Sequence, residues 1–322
     1  MNNLSLSDTD RVLILGATGF IGRRLVKALV EKNIRLRLLV RTPAKASAIV
    51  PKSSDVEIVQ GDLQDTGRLR KALAGIHSVF YLVHSMGGSS ILKNTEFAKK
   101  DKRIARSFIQ AADEEKVQRV IYLGGLGEKG QGLSEHLVSR AEVADILSSG
   151  KTAATILRAA VIIGAGGASY EMLRYLVERL PVMTCPKWIN TRIQPIAVHD
   201  VIQYLTGCLT NVDTAGKTFD IGGPEVLTYK IMMQQYATAR GLVKRIIIDL
   251  PFITPSLSAY WVDLVTPIPS GVAHPLIEGL KNEVICLDSS IDNYIPIKKT
   301  TFQEAVKQAF SEETTGPGVT GF

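Results

Sequence analysis

The chain has 322 residues, 45% of them hydrophobic and 21% charged, with a net charge of +7. That composition builds one large folded domain or two modest ones and excludes a disordered chain. The basic residues are scattered rather than gathered with aromatics into a patch, and no zinc-finger or helix-turn-helix spacing accompanies them, so nucleic acid is not an expected partner.

Residues 1–10, MNNLSLSDTD, are polar and acidic rather than basic then apolar, which does not read as a secretory signal. No apolar run approaches the ~20 residues of a membrane span, so a cytoplasmic location is expected. Cys185, Cys208 and Cys286 are far apart and lack CxxC spacing, which indicates buried free thiols rather than disulfides or zinc.

From residue 11 strand and helix alternate. RVLILG is a short apolar run of the kind buried on both faces of a parallel sheet, and FIGRRLVKALVEKN follows with helical periodicity. RLRLLVR, VEIVQGDL, HSVFYLVH, RVIYLGGLG and TAATILRAAVIIG read as further strands. TPAKASAIV, TGRLRKALAG, NTEFAKKDKRIARSFIQAADEEK and LSEHLVSRAEVADILSSG read as the helices between them. The order predicts an α/β fold, a doubly wound parallel Rossmann sheet over residues 11–165.

Residues 166–310 are expected to form a smaller, mixed substrate or cap lobe, with strands returning to the sheet. ASYEMLRYLVERLP and LTYKIMMQQYATARG read as helices, whereas QPIAVHDVIQYLTGCL and KTFDIGG read as returns to the sheet region. From Leu250 the chain is apolar and proline-rich, with Tyr260 and Trp261. That suits a pocket for an apolar substrate or a patch for a membrane or protein partner, with plain core packing as the default. Residues 311–322 read as a polar, disordered tail. Oligomeric state is not encoded in any feature of the sequence.

The strongest chemical signal is GATGFIG. Gly16, Gly19 and Gly22 follow a strand and open a helix, where backbone must turn sharply and approach a pyrophosphate without side-chain clash. Thr18, Phe20 and Ile21 lie in the same turn, and the helix start offers unpaired N–H groups to the phosphates. The second strand ends in Val40-Arg41 instead of the acidic residue that holds the ribose hydroxyls of NAD. Arg41 suits a 2′-phosphate, so NADP(H) is expected over NAD(H), with a solvated strand-end arginine as the alternative. After the third strand, Asp62 could accept from an adenine amino group and Leu63 cover the ring; a strand-ending aspartate that caps a turn is the other reading.

Taken together, GATGFIG, GDL, VFYLVHS, VIYLGGLG, ILRAAVIIG, IQPIAVHDV and FDIGGPEVLTY resemble the atypical and extended short-chain dehydrogenase/reductases over about residues 11 to 235. YLVHSM, YLGGLGE, LSEHLVSR and YLVERLPVM are most similar to the NAD(P)H-binding branch of NmrA-like and YbjT-like proteins. The resemblance implies a nicotinamide ring near the ends of the fourth, fifth and sixth strands, with YLVHS beside its ribose and residues 158–164 against the ring. It also implies a Tyr-x-x-x-Lys pair on the helix after the fifth strand and a serine after that strand. This chain has His136 and Arg140 in the first register and Gly124 or Gly125 in the second.

Histidine, with a pKa of ~6.5, releases a proton at neutral pH more readily than tyrosine at ~10. A neighbouring guanidinium would favour neutral imidazole, leaving His136 as a hydrogen-bond donor to a developing oxyanion. Arg140 could clasp ribose or phosphate, and both residues could equally be exposed or structural. His84, at a strand end, is a candidate ribose or substrate contact or a histidine satisfied by backbone. His199 and Asp200 read as helix caps, and His77 as superficial. No Ser/His/Asp or HExxH arrangement is present, so hydrolases are excluded. Two functions remain open: an NADPH-dependent oxidoreductase acting on an apolar carbonyl, enone or quinone-like substrate, and a non-catalytic NADP(H)-binding sensor or assembly protein.

Overall fold

The computed structural model describes residues 5–51, 54–84, 91–127, 135–250, 265–279 and 281–315. Tyr260, Trp261 and the last seven residues of the expected tail lie outside the described residues.

Seven strands form one parallel sheet. They are β1 (Arg11–Leu15), β2 (Arg35–Val40), β3 (Val56–Gln60), β4 (Ser78–Tyr81), β5 (Arg119–Gly125), β6 (Ala153–Ala159) and a late strand, Thr218–Ile221. The order is late strand, β6, β5, β4, β1, β2, β3. All six pairings are parallel. Chain order reverses between β1 and β4, which is the switch point where such sheets leave a crevice beyond the strands' carboxyl ends.

Both faces of the sheet are covered, and β1 shows why its sequence is continuously apolar. Val12 and Ile14 pack into one core with Leu25, Val26 and Tyr204. Leu13 and Leu15 pack into the other with Leu69, Phe108 and Val120, following the two-residue period of a strand. The first face carries α1 (Phe20–Glu31), and the second carries α3 (Thr66–Leu73), α4 (Ile91–Glu114) and α5 (Glu135–Ser148); the short α2 (Pro43–Ser47) follows β2.

A third core contains Tyr170, Met172, Met183, Tyr229, Met232, Tyr236 and Phe302 and belongs to the later part of the chain. It is built from α6 (Ala168–Arg179), the strand Val182–Pro186 and α8 (Tyr229–Ala239), with helices Ser270–Gly279 and Phe302–Thr315. The strand Ile246–Leu250 pairs in parallel with Val182–Pro186 outside the main sheet.

Two local readings are corrected. QPIAVHDVIQYLTGCL is mostly helix: α7 (Val198–Thr210) follows a two-residue strand, Ile196–Ala197. Its buried residues, among them Val198, Val201, Ile202, Leu205, Cys208 and Leu209, recur at helical spacing, and α7 lies beside α1 on the sheet. That period is legible in the sequence, and only the short stretch before it, Ile196–Ala197, pairs as a strand within the segment. His77 is buried, with Nδ1 2.8 Å from the Ser78 hydroxyl, because it sits where the chain enters β4 beneath Asp10. KTFDIGG does return to the sheet, as the late strand beside β6. The last helix runs to Thr315, past residue 311 where a polar tail was expected to begin.

Candidate active site

A cleft of about 420 Å³ opens at the switch point. One end is made by the β1–α1 turn. Gly16 has φ +88°, and a Cβ there would lie 2.8 Å from the Leu82 carbonyl oxygen. At Gly22 a Cβ would stand 2.1 Å from the Gly16 oxygen, so that position admits only glycine without rebuilding the turn. Gly19 is the N-cap of α1; it supplies no side-chain cap, and the first turn has no acidic residue. The helix start therefore presents backbone N–H groups and the positive end of its dipole uncompensated by side chains, the arrangement that suits a pyrophosphate.

Phe20, Ile21, His84 and Arg140 line the same cleft as these glycines. His84 is exposed at its rim. Gly124 and Gly125 lie in its wall. A Cβ at Gly124 would meet the Tyr122 ring at 2.7 Å, whereas at Gly125 it would meet the flexible side chains of Arg140 and Leu137 at 3.0 and 3.1 Å. His136 falls on α5, one turn before Arg140, and its side chain lies outside the described residues. The Tyr122 hydroxyl donates to the Arg140 carbonyl oxygen at 3.4 Å, and burial pushes that phenol above its ordinary range.

Thr18, Arg41, Asp62 and Leu63 do not line this cleft. Arg41 is exposed at the end of β2. The Asp62 carboxylate accepts from the Gln64 backbone N–H at 2.9 Å. That bond, helped by the positive charges of Arg41 and Lys100, holds Asp62 below the usual carboxylate range. Asp62 thus forms the turn-capping contact of the alternative reading while remaining within the electrostatic reach of Arg41. Lys100, on α4, was not anticipated, since its proximity depends on how α4 crosses the sheet.

Asp200 and His199 sit in the first turn of α7 without capping it. Asp200 is buried and accepts from the Thr300 N–H and hydroxyl, both at 2.8 Å, while His199 is exposed. A second glycine cluster, GAGGAS, was missed. Gly166, Gly167, Ala168 and Ser169 line the cleft opposite α1. The Phe20 ring packs so close to this loop that a Cβ at Gly167 would lie 2.8 Å from it. The signal was available as glycines directly after a strand and before a helix.

That loop is held from two sides. Arg24 donates to the Ala165 oxygen at 2.9 Å and pairs with Glu312 of the last helix. Glu171 accepts from the Gly166 N–H at 3.0 Å and pairs with Arg174, which in turn pairs with Glu313 at 3.0 Å. Adjacent glutamates of the last helix therefore reach both sides of one peptide unit in the cleft wall.

A family model described as NAD(P)H-binding matches residues 16–174, the segment that carries every glycine of the cleft so far described. Over that segment the chain is similar to NAD(P)H-binding proteins, and the parallel sheet it forms is Rossmann-like. It is 31% identical over 205 residues to a ceramide reductase of Caulobacter vibrioides, covering 62% of each protein. It is 24% identical over 277 residues to the mitochondrial NADH dehydrogenase [ubiquinone] 1 alpha subcomplex subunit 9 of Arabidopsis thaliana, covering 83% of this chain and 67% of that one. The chain spans about two thirds or less of the length of these relatives. Among solved structures, the NADPH-dependent quinone oxidoreductase of Escherichia coli, in complex with NADPH, superimposes with a TM-score of 0.72 at 20% identity, covering 93% of this chain and 99% of that one. Among the described residues, no helix is long and apolar enough to cross a membrane, and no cluster of metal-ligating side chains occurs.

Proposed function

We propose that the chain is an atypical short-chain dehydrogenase/reductase that binds NADP(H) in preference to NAD(H) and transfers hydride to or from an apolar carbonyl, enone or quinone-like molecule. One observation carries this reading: the glycine-cornered end of the cleft continues directly into apolar walls from Leu123, Ala160, Ile162, Met172 and Leu276. A phosphate-binding turn and a water-poor reaction chamber thus share one cavity. The names of the ceramide reductase and the quinone oxidoreductase, both acting on largely apolar molecules, point the same way.

In this reading Gly16, Thr18, Gly19, Phe20, Ile21 and Gly22 form the pyrophosphate turn. Arg41 takes the 2′-phosphate, and Asp62 and Leu63 contact the adenine. His84 and Arg140 hold the nicotinamide ribose, and His136 donates a proton or a hydrogen bond to the substrate oxygen. The bound dinucleotide supplies the hydride; the protein's part is to orient it, exclude water and place a proton donor.

A second reading has its own observation. By the resemblance, Gly124 or Gly125 stands where a serine is implied, and His136 and Arg140 stand where tyrosine and lysine are implied. A chain that binds NADP(H) without consuming it, as a sensor or assembly subunit, fits that replacement, as does the likeness to a subunit of NADH dehydrogenase.

The test is to titrate purified protein with NADPH and NADH by energy transfer from tryptophan, then add apolar ketones, enones and quinones and follow nicotinamide absorbance. Tighter NADPH binding with oxidation by one class supports the enzyme. Tight binding with no oxidation across the panel supports the sensor, and no binding of either nucleotide sinks both.

A further inference from the structure

A second chamber, of about 250 Å³, adjoins the cleft. Met172 of α6 and Tyr229 of α8 line both cavities and so stand between the two. Its remaining walls come from α6 and Leu180 after it, the strand Val182–Pro186, the turn Lys187–Asn190, α8, Val265 and the helix Ser270–Gly279, outside the dinucleotide sheet.

The chemistry of this chamber differs from that of the cleft. No charged side chain lines it among the described residues. Its two ionisable groups are Cys185 and Tyr229, and burial pushes both upward, the thiol to about 11, so both are neutral near pH 7. Three thioethers, Met172, Met183 and Met233, stand beside the Trp188 indole. Flexible, polarisable methionines fit an irregular apolar guest without a fixed shape requirement. A carboxylate, phosphate or sugar placed there would lose its hydration and meet no charged group in the described lining, while Lys230, whose charge reaches Cys185, is already paired with Asp249 at 2.9 Å.

We propose that this chamber receives the uncharged apolar tail of the hydride-exchanging substrate, whose oxygen-bearing carbon stays in the cleft, and that it rejects tails ending in a charge. The proposal rests on the oxidoreductase reading for calling the guest a substrate, but the chamber's occupancy can be measured without the nucleotide. It makes Met172 and Tyr229 the boundary between head and tail.

The experiment is calorimetric titration of the full chain with 2-alkanones from about four to about twelve carbons, with and without NADPH, beside the same ketones carrying a terminal carboxylate. Affinity should rise about fourfold per added methylene until the chamber is full. The carboxylated series should bind about tenfold or more weakly at matched length. Val182 and Thr184 are exposed at the chamber's edge, so Val182→Trp and Thr184→Trp can obstruct it without repacking the core. Either should flatten the length dependence while leaving NADPH affinity and Tm unchanged. Affinity independent of length, equal binding of the carboxylates, or a length dependence that survives both variants overturns the proposal. Failure to bind NADPH overturns only the oxidoreductase reading.

Discussion

The two ends of the cleft are built by different means. At the glycine end, backbone does the shaping within a single strand–turn–helix, residues 11 to 31, and the constraints are local. At the lobe end the walls come from α5, the loop after residue 163, α6, α8 and the helix Ser270–Gly279, segments up to about 150 residues apart. The first kind of site is encoded in spacing and tolerates almost no substitution. The second is encoded in packing, so its composition can drift while a cavity persists, which is how one fold accommodates different substrates.

The sharpest way to break this comparison is to add single methyl groups at the glycine end. Gly22→Ala forces a Cβ to within 2.1 Å of the Gly16 oxygen. It should abolish nucleotide binding and cost roughly 1–3 kcal/mol of stability, read as a lower Tm. Gly19→Ala places its Cβ 3.3 Å from the same oxygen, a separation the turn can accommodate. It should fold with a Tm near wild type yet bind NADPH about tenfold or more weakly, because the methyl group enters the path of the phosphates. If both variants bind normally, the turn does not hold a pyrophosphate.

The other end predicts a different pattern. His136→Ala should reduce hydride transfer by ~100-fold while leaving NADPH affinity intact, as removal of an acid–base group does. Unchanged turnover removes His136 from the mechanism. Arg41→Ala, at the end of β2 outside the cleft, is smaller and selective if the proposed 2′-phosphate contact holds: about tenfold weaker binding of NADPH with NADH unaffected. Equal loss for both nucleotides rules out the assignment of Arg41.

What was legible in the sequence follows the same division. Strands β1 to β6 and the glycine turn were readable because buried parallel strands are short apolar runs and a tight turn needs glycine at fixed intervals. α7 carries its apolar residues at helical spacing with His199, Gln203, Thr206 and Thr210 on the other side, so its period was legible; the strand residues Ile196 and Ala197 just before it are what returns beside another strand. The Arg24–Glu312 pair joins residues 288 apart, and Lys100 approaches Asp62 only through the crossing of α4; neither has any local signature. Gly166 and Gly167 stand between: their spacing was visible, but their place opposite Phe20 follows from the return of α6 across the cleft mouth.

The loop carrying those two glycines joins the two kinds of construction, and it yields the smallest prediction. Glu313 reaches it through Arg174 and Glu171. Burial, outweighing the attraction of Arg174 and reinforced by Glu171 and Glu178, holds the Glu313 carboxyl above the usual carboxylate range. An acid whose pKa is raised on folding binds more protons in the native state than in the unfolded one. Its contribution therefore weakens stability as pH rises from the unfolded value toward the folded one, and is constant beyond it. Glu313→Gln removes that titrating carboxyl, so the Tm of wild type should fall relative to the variant across that interval and run parallel to it above. NADPH affinity should shift little, because Arg24 still holds the Ala165 carbonyl from the other side. Parallel Tm curves at every pH would mean that Glu313 titrates alike in both states and that the last helix rests on the cleft wall through Glu312 and its apolar face alone.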